Sequence, residues 1–412
     1  MNFIKQLKVK NFFSIKDEIV LDLKASNYTV NNHNNRVFVQ NDTSYNKLVS
    51  IYGANASGKT TVLKSLVVIG AIVNNENSDN MPLSIKNKFA HARSKTEFSI
   101  NFVLHVNGKA VEFEYLLILE ANKSKHNIAI DNEILYTISN GKRNTFFNRK
   151  DRKINIKDID DNTKELIFND IKNTISIFNE FDKFDKQMSY ISSIKVFLGS
   201  IPTLTNINNA YVTTFGIRAD DENRFVTNIL NDNKLKLFIQ KFILSIGIDI
   251  DDITVEFNYD ENKQITGIKN ILLHHSIDNT TPLEYQLESD GTRMLLKLLM
   301  DIYVAKKLKT ILVIDEFDSV LHSMLVPLLN KLIIDNNIQI IYSTHNIYNM
   351  KYLYADEIHF VNKDNNHTTS IVSPKNDKSI EGYENFLSLY ENSYLGGLPE
   401  LKKIFTKIEQ DG

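Results

Sequence analysis

The chain has 412 residues, 42% hydrophobic and 24% charged, a balance that suits a soluble globular protein of more than one domain and excludes a disordered or fibrous one. Its 48 Lys+Arg against 50 Asp+Glu leave a formal charge of −2, so no global charge draws it to nucleic acid or an anionic membrane. There is no cysteine, which excludes disulfides and thiolate metal sites and favours a cytoplasmic location.

The opening MNFIKQLKVKNFFSIKDEIVLDL alternates charged and apolar residues and lacks the unbroken apolar core of a signal peptide. It predicts two antiparallel strands, 2–10 and 18–24. Leu48–Tyr52 reads as a short buried strand, followed by a Gly-bearing loop and a helix over 60–73. The apolar run Leu66 to Val73 is far too short to span a bilayer, and no membrane domain is expected. Residues 96–120 alternate in hydrophobicity and break at Asn107-Gly108, a strong hairpin signal, so a β-meander continuing to Tyr136 is predicted. From Asp158 to Phe197 the spacing of Ile167, Ile171, Ile175 and Phe178 predicts helix, as does Asp221 to Ile246. A hairpin is expected around Tyr259–Lys263 within 253–275, then a helix over 291–308. Two all-apolar strands, 310–314 and 338–342, flank a helix over 323–335, the βαβ order of a parallel sheet buried on both faces. Further strand is expected at 357–361 and 370–372.

These elements predict an α/β fold with an antiparallel β-subdomain and three divisions of the chain. Residues 1–140 would form the N-terminal half of the head, 141–250 an inserted and mainly helical region, and 251–412 the C-terminal half.

The most informative stretch is IYGANASGKTT. Gly53-x-x-x-x-Gly58-Lys59-Thr60 is a full P-loop match, placed after a strand and before a helix as the motif requires. Its glycines let the backbone of Gly53, Asn55, Ser57, Gly58 and Thr61 wrap so that N–H groups point at phosphate. Lys59 would reach the outer phosphates and the Thr60 hydroxyl would serve Mg²⁺. Asp315 and Glu316 end the apolar strand 310–314, where strand C-termini face the ligand crevice of open α/β sheets. Asp315 suits Mg²⁺ and Glu316 could polarise an attacking water, although such a pair can also cap a helix. Glu288-Ser289-Asp290-Gly291-Thr292 precedes the 291–308 helix, either as a plain N-cap or as a second anion site. His345, after the strand 338–342, is placed to donate to a terminal phosphate or hold water.

Taken in order, GANASGKT (53–60), ESDGT (288–292), ILVIDEFDSVLH (311–322) and STHN (343–346) resemble the core of ABC-type ATPases. More narrowly, LKVKNFFSIKDEIVLDL, the NASGK form of the P-loop and the closing NSYLGGLPEL (392–401) resemble the stand-alone AAA15/AAA21 group. That group is related to the RecF/SMC and overcoming-lysogenization-defect ATPases and is similar to abortive-infection ATPases of anti-phage defence. The resemblance implies ATP and Mg²⁺ as cofactors and a homodimer, or higher even oligomer, with ATP sandwiched between one subunit's P-loop and the other's signature. Ser289 and Gly291 would then touch the γ-phosphate held by the other subunit. Asp318 and Ser319 would match the loop at the dimer seam, and His345 the switch histidine. The signature departs from the transporter form Leu-Ser-Gly-Gly, and 81–97, where the Mg²⁺-sensing glutamine loop is expected, contains no Gln.

Three functions compete. An ATP-gated defence ATPase controlling a separate effector, a nuclease or toxin, fits every motif. After His345 only 67 residues remain (412 − 345), too few for a nuclease domain beside the closing strands, so that activity is expected on a partner. A RecF/SMC-like DNA clamp would need a nucleic-acid surface, and the best stretch is GKRNTFFNRKDRK (141–153), with basic residues through 142–153 and paired Phe146-Phe147. That run also reads as a solvated loop. A transporter ATPase would show a different signature and a helical coupling domain.

Overall fold

The computed structural model describes residues 1–74, 85–122, 127–150, 153–157, 175–179, 189–201, 205–206, 232–317, 321–377 and 386–391, apart from 92, 262, 276–277, 365 and 367. In chain order, β1 (Phe3–Lys10) pairs antiparallel with β2 (Ile19–Asp22), setting Leu7 opposite Leu21. A short helix α1 (Asn27–Asn32), capped by Ser26, precedes the separate hairpin of β3 (Val37–Gln40) and β4 (Thr43–Asn46). The strand β5 (Leu48–Tyr52) leads through the P-loop to α2 (Lys59–Val73).

Next come β6 (Thr96–Val106), β7 (Lys109–Asn122), β8 (Asn127–Ser139), β9 (Lys142–Lys150) and β10 (Lys153–Ile156). With β1 and β2 they form a seven-stranded sheet in the order β10-β9-β8-β7-β6-β1-β2. Asn107 and Gly108 both take positive φ, 52° and 76°, the backbone of a type I′ turn whose twist matches the flanking strands. Asn140 and Gly141 repeat it at 50° and 72°. The meander therefore runs past Tyr136 and across the boundary expected at 140/141, and the first part of the segment expected to be helical is strand.

Of the two stretches expected to be helical, only parts are described. Residues 158–174 and 221–231 lie outside the described residues. Ile177–Asn179 is a 3₁₀ turn, and Ser189–Gly199 is the helix α3. The turn exists because a sheet side chain captures its backbone: Ile177 N donates to Glu133 Oε2 at 3.0 Å, and Ser176 Oγ donates to Glu133 Oε1 at 2.5 Å. Ile177 and Phe178 are then fully buried in the meander's core. After β11 (Thr205–Asn206), the described part of the second helical stretch is α4 (Asn233–Ser245), started by Asp232, whose carboxylate accepts from Lys234 N and Leu235 N.

A three-stranded sheet follows: β12 (Asp252–Tyr259), β13 (Ile265–His275) and β14 (Asp278–Glu284). The third strand has no counterpart in the sequence reading; Pro282 weakens its strand signal, and it lies at the sheet's edge, where a missing N–H is tolerated. The remaining elements are α5 (Asp290–Leu308), β15 (Leu312–Ile314), α6 (Leu325–Asp335), β16 (Ile340–Ser343), β17 (Ile358–Lys363), β18 (Thr369–Val372) and α7 (Phe386–Glu391).

The six-stranded sheet has the order β11-β15-β16-β5-β17-β18, parallel except for the edge strand β18. Because β5 lies between β16 and β17, the strand order switches there, and the C-terminal ends of β5, β15 and β16 open on one crevice. The helix α2 is buried from Val62 to Val73 except at Lys64, apolar almost all round because it packs between the meander and the parallel sheet. Gln339, fully buried, joins the two sheets: its Oε1 accepts from Ile4 N at 2.7 Å, and its Nε2 donates to Ile4 O and Asn46 O at 3.0 and 2.9 Å.

Candidate nucleotide site

The crevice gathers residues from four separate parts of the chain. Gly53 follows β5 directly, and a Cβ there would lie 2.4 Å from the Val361 carbonyl oxygen, so only glycine lets β17 pass this close. Gly58, with φ of 115°, caps α2; a Cβ on it would meet Thr369 Oγ1 at 2.6 Å and Ser14 Oγ at 2.9 Å. Thr369 Oγ1 lies 2.8 Å from Ser14 Oγ and 3.0 Å from Ser57 O, and Ser14 Oγ donates to Thr61 Oγ1 at 3.2 Å. The β1–β2 turn and β18 thus brace the end of the P-loop. Neither Ser14 nor Thr369 was marked as functional by its sequence context.

Lys59 turns back into the loop, where its Nζ donates to Gly53 O at 2.9 Å and Ala54 O at 3.2 Å. Burial lowers its pKa, while Asp315 and Glu316 oppose that shift by stabilising the ammonium. Ser57 is buried, and its hydroxyl has no hydrogen-bond partner, a polar atom left for a ligand in this loop.

Thr60 Oγ1 donates to Asp315 Oδ2 at 2.8 Å, which brings the P-loop and the end of β15 together. The other carboxylate oxygen accepts from Ser343 Oγ, and the same Ser343 hydroxyl accepts from Glu316 N at 2.8 Å. Phe317 N donates to Ser343 O at 3.0 Å, so the last residue of β16 fixes three successive residues after β15. Glu316 takes φ of 53°, a left-handed conformation that turns its carboxylate away from the strand and leaves the residue exposed. Ser343 lies in the STHN stretch, but its sequence did not single it out as a site residue.

His345 follows Thr344, whose N donates to Ile51 O at 3.1 Å, so the histidine stands beside the P-loop strand with an exposed side chain. Ser289 caps α5: its Oγ accepts from Thr292 N at 3.1 Å and lies 2.8 Å from Thr292 Oγ1. His275 Nε2 is 3.3 Å from Glu288 Oε2, which ties the ESDGT segment to β13. Ser289 is exposed and Gly291 partly so. Asp318 and Ser319 lie outside the described residues, as does NSYLGGLPEL at 392–401.

In the region where a glutamine loop was sought, Asn87 is buried and bonds the β1–β2 turn: its Nδ2 donates to Phe13 O at 2.7 Å and its N to Asn11 Oδ1 at 3.2 Å. Through Ser14 this loop is connected to the P-loop helix.

In the basic stretch 142–153, Lys142–Lys150 is strand β9 rather than loop, and Lys153 opens β10. Phe147 and Arg149 are fully buried; Phe147 lies in the core and Arg149 Nη1 is 3.6 Å from Glu133 Oε2. Arg143 is bonded to Glu114 at 2.5 Å. Phe147 and Arg149 face inward and are not available to nucleic acid, whereas Phe146 is half-buried. Lys142, Lys150 and Lys153 remain exposed.

Among the described residues no cluster of three His, Cys, Asp or Glu side chains could hold a metal, and no helix is long and apolar enough to cross a membrane. No curated protein matches the sequence significantly. Solved structures similar in fold include the SMC head domain from Thermotoga maritima, at 15% identity over 90% of this chain and 98% of that one, TM-score 0.41. A second is the SMC head bound to the C-winged helix domain of ScpA, at 14% identity, 90% and 98% coverage and TM-score 0.44. A third is an SMC head with an extended coiled coil bound to the C-terminal domain of ScpA derived from Pyrococcus furiosus, at 13%, 94% and 100% coverage and TM-score 0.47. Residues 48–350 match the family described as AAA domain, putative AbiEii toxin, Type IV TA system, a span that holds the P-loop, Asp315-Glu316 and His345; the chain belongs to this family and is a P-loop ATPase.

Proposed function

We propose that the chain is the ATP-gated subunit of a bacterial anti-phage, abortive-infection system, acting in the cytoplasm as a dimer or higher even oligomer that controls a separate effector. The observation that carries this reading is the division of the site. The phosphate-holding groups Lys59, Thr60 and Asp315 are already joined in one chain, whereas Glu316, Ser289 and His345 stand exposed. Groups that must act in a water-poor site, yet lie on a surface, call for a second surface to cover them.

In this reading the backbone of Gly53, Asn55, Ser57, Gly58 and Thr61 wraps the phosphates, and Lys59 moves from its loop carbonyls to the outer ones. Ser57 supplies its unpartnered hydroxyl. The Thr60 hydroxyl and Asp315 carboxylate are hard oxygen donors within hydrogen-bond distance of each other, a set that fits Mg²⁺ with water and phosphate completing its shell. When bound, the ion would neutralise charge on the phosphates. Glu316 orients and deprotonates water, and His345 steadies the terminal phosphate. Ser289 and Gly291 of a second copy, at the N-terminus of its α5, close the site. Residues 1–140 and 251–412 would form the head around an insert at 141–250, whose first strands, β9 and β10, continue the head's seven-stranded sheet. The DNA-clamp alternative has less support, because its best surface spends Phe147 and Arg149 on the core.

Glu316→Gln tests the proposal. ATP turnover should fall at least about a hundredfold while ATP-dependent dimers accumulate. Unchanged turnover would remove Glu316 from the mechanism, and a protein that stays monomeric at saturating ATP would remove the composite site. Cells carrying the gene with its neighbours should resist phage, and protection that survives deletion of every neighbour would sink the separate effector.

A further inference from the structure

A cleft of about 500 Å³ opens between α6 and the 3₁₀ turns Asn34–Arg36 and Ile347–Tyr352. None of its walls carries a P-loop residue. Pro327, Ile334, Leu353, Tyr352 and Tyr354 make its apolar and aromatic surface. Arg36 also lines it but is neutralised by a two-pronged bond to Glu357, at 2.8 and 2.7 Å. Lys331 and Lys351 are different: both are exposed, and neither pairs with a carboxylate among the described residues. Lys351 Nζ instead lies 5.5 Å over the Tyr348 ring. Asp335 is the acidic wall residue, at the end of α6. At the back Asn330 is 3% exposed, and neither atom of its carboxamide has a hydrogen-bond partner. Leaving a buried carboxamide unpartnered is costly unless something entering the cleft supplies the bonds.

The apolar surface continues beyond the cleft. Met324 (74% exposed) and Leu328 (46%) extend it along α6, and Tyr348 (60%) and Tyr352 (53%) along the facing turn. A small molecule filling the cleft would leave Met324, Leu328 and Tyr348 in water; a chain segment laid across it would cover them.

We propose that this cleft docks an acidic segment of a separate protein, its large apolar side chains on the Tyr352–Leu353–Ile334 wall and its carboxylates on Lys331 and Lys351. The inference rests on the proposed control of a separate effector and adds where the two proteins meet. The position suits that role, because the turn Ile347–Tyr352 runs on from His345-Asn346 and α6 follows Glu316 in the chain. A segment seated here touches the elements that carry both catalytic loops.

The test is a displayed library of random short peptides, selected against the full chain and against the double variant Lys331→Glu/Lys351→Glu. Sequences rich in Asp and Glu with aromatic or leucine anchors should enrich on the native protein and bind the double variant at least about tenfold more weakly. Tyr352→Ala should weaken them similarly while basal ATP turnover stays unchanged in both variants. Enrichment of neutral or basic peptides, or acidic peptides that bind all three proteins equally, would overturn the proposal. So would self-association lost in the double variant, which would make the occupant a second copy. Tighter peptide binding after removal of 392–412 would make it the chain's own C-terminal segment and overturn it equally. Peptide capture needs neither hydrolysis nor dimerisation, so failure of the Glu316→Gln test leaves this one intact.

Discussion

Replacing Ser343 with alanine should slow hydrolysis without weakening nucleotide binding. The hydroxyl makes two bonds that alanine cannot, one to the Asp315 carboxylate and one from Glu316 N at 2.8 Å. A bond to a charged group is worth about 1.5–3 kcal/mol and a neutral one about 0.5–1.5 kcal/mol. Asp315 is only partly buried, so water recovers part of the first, and the sum comes to about 2–3 kcal/mol. Asp315 loses the bond that holds it beside Glu316, and Glu316 loses its amide anchor. Its left-handed φ of 53° costs on the order of 1 kcal/mol and persists because Ser343 anchors its amide. Released, the carboxylate samples orientations that do not face water held at the crevice. A barrier higher by about 1.4–2.8 kcal/mol corresponds to a kcat about ten- to a hundredfold lower. Lys59 and its loop make no bond to Ser343, so KM for ATP should change little. Phosphate release measured over a range of ATP, with circular dichroism to verify folding, reads both quantities. A folded variant whose kcat stays within about twofold of the native value would refute the argument that Ser343 positions Glu316.

Two further predictions concern buried charge. Arg149→Met leaves the Glu133 carboxylate in the core without its cation and should destabilise the protein by about 3–5 kcal/mol, whereas Lys150→Met on the exposed side of β9 should cost less than about 0.5 kcal/mol; equal unfolding midpoints in urea would contradict the buried pair. His359 is fully buried beside Lys375, its Nε2 3.3 Å from Asp22 O, and burial lowers its pKa to about 4. The unfolded histidine titrates at about 6.5, so the unfolded chain binds more protons between these values, and stability present above pH 6.5 is lost at about 1.4 kcal/mol per unit as pH falls toward 4. His359→Asn should flatten that slope, and a pH profile identical to the native one would assign the acid sensitivity elsewhere.

The parts of the site legible in sequence are those that combine a motif with a secondary-structure context. IYGANASGKTT sits between a buried strand and a buried helix, and both are where the pattern puts them. Asp315 was legible because the apolar run before it could only be a buried strand ending at the crevice. The bonds made by Ser343, Ser14 and Thr369 were not, because each reaches across the fold to a residue far away in sequence, and even within a quoted motif a hydroxyl does not reveal its partner. The 140s were readable and misread: Asn140-Gly141 carries the same turn signal as Asn107-Gly108, but the charge run beside it suggested a loop. Ile175 and Phe178 have helical spacing, yet Glu133 supplies the partners that a helix would have supplied to Ile177 N and the Ser176 hydroxyl. Tertiary hydrogen bonding overrode the local period there.

The two carbonyls that hold Lys59 make the P-loop its own competing ligand. A phosphate does not meet a free ammonium; it must exchange for Gly53 O and Ala54 O, so the measured affinity is the difference between two occupied states. A lone phosphate offers little beyond what the carbonyls already give. In the proposed site a triphosphate would compensate for the exchange with contacts along the whole loop and at Thr60, so discrimination by phosphate length would follow from the loop itself.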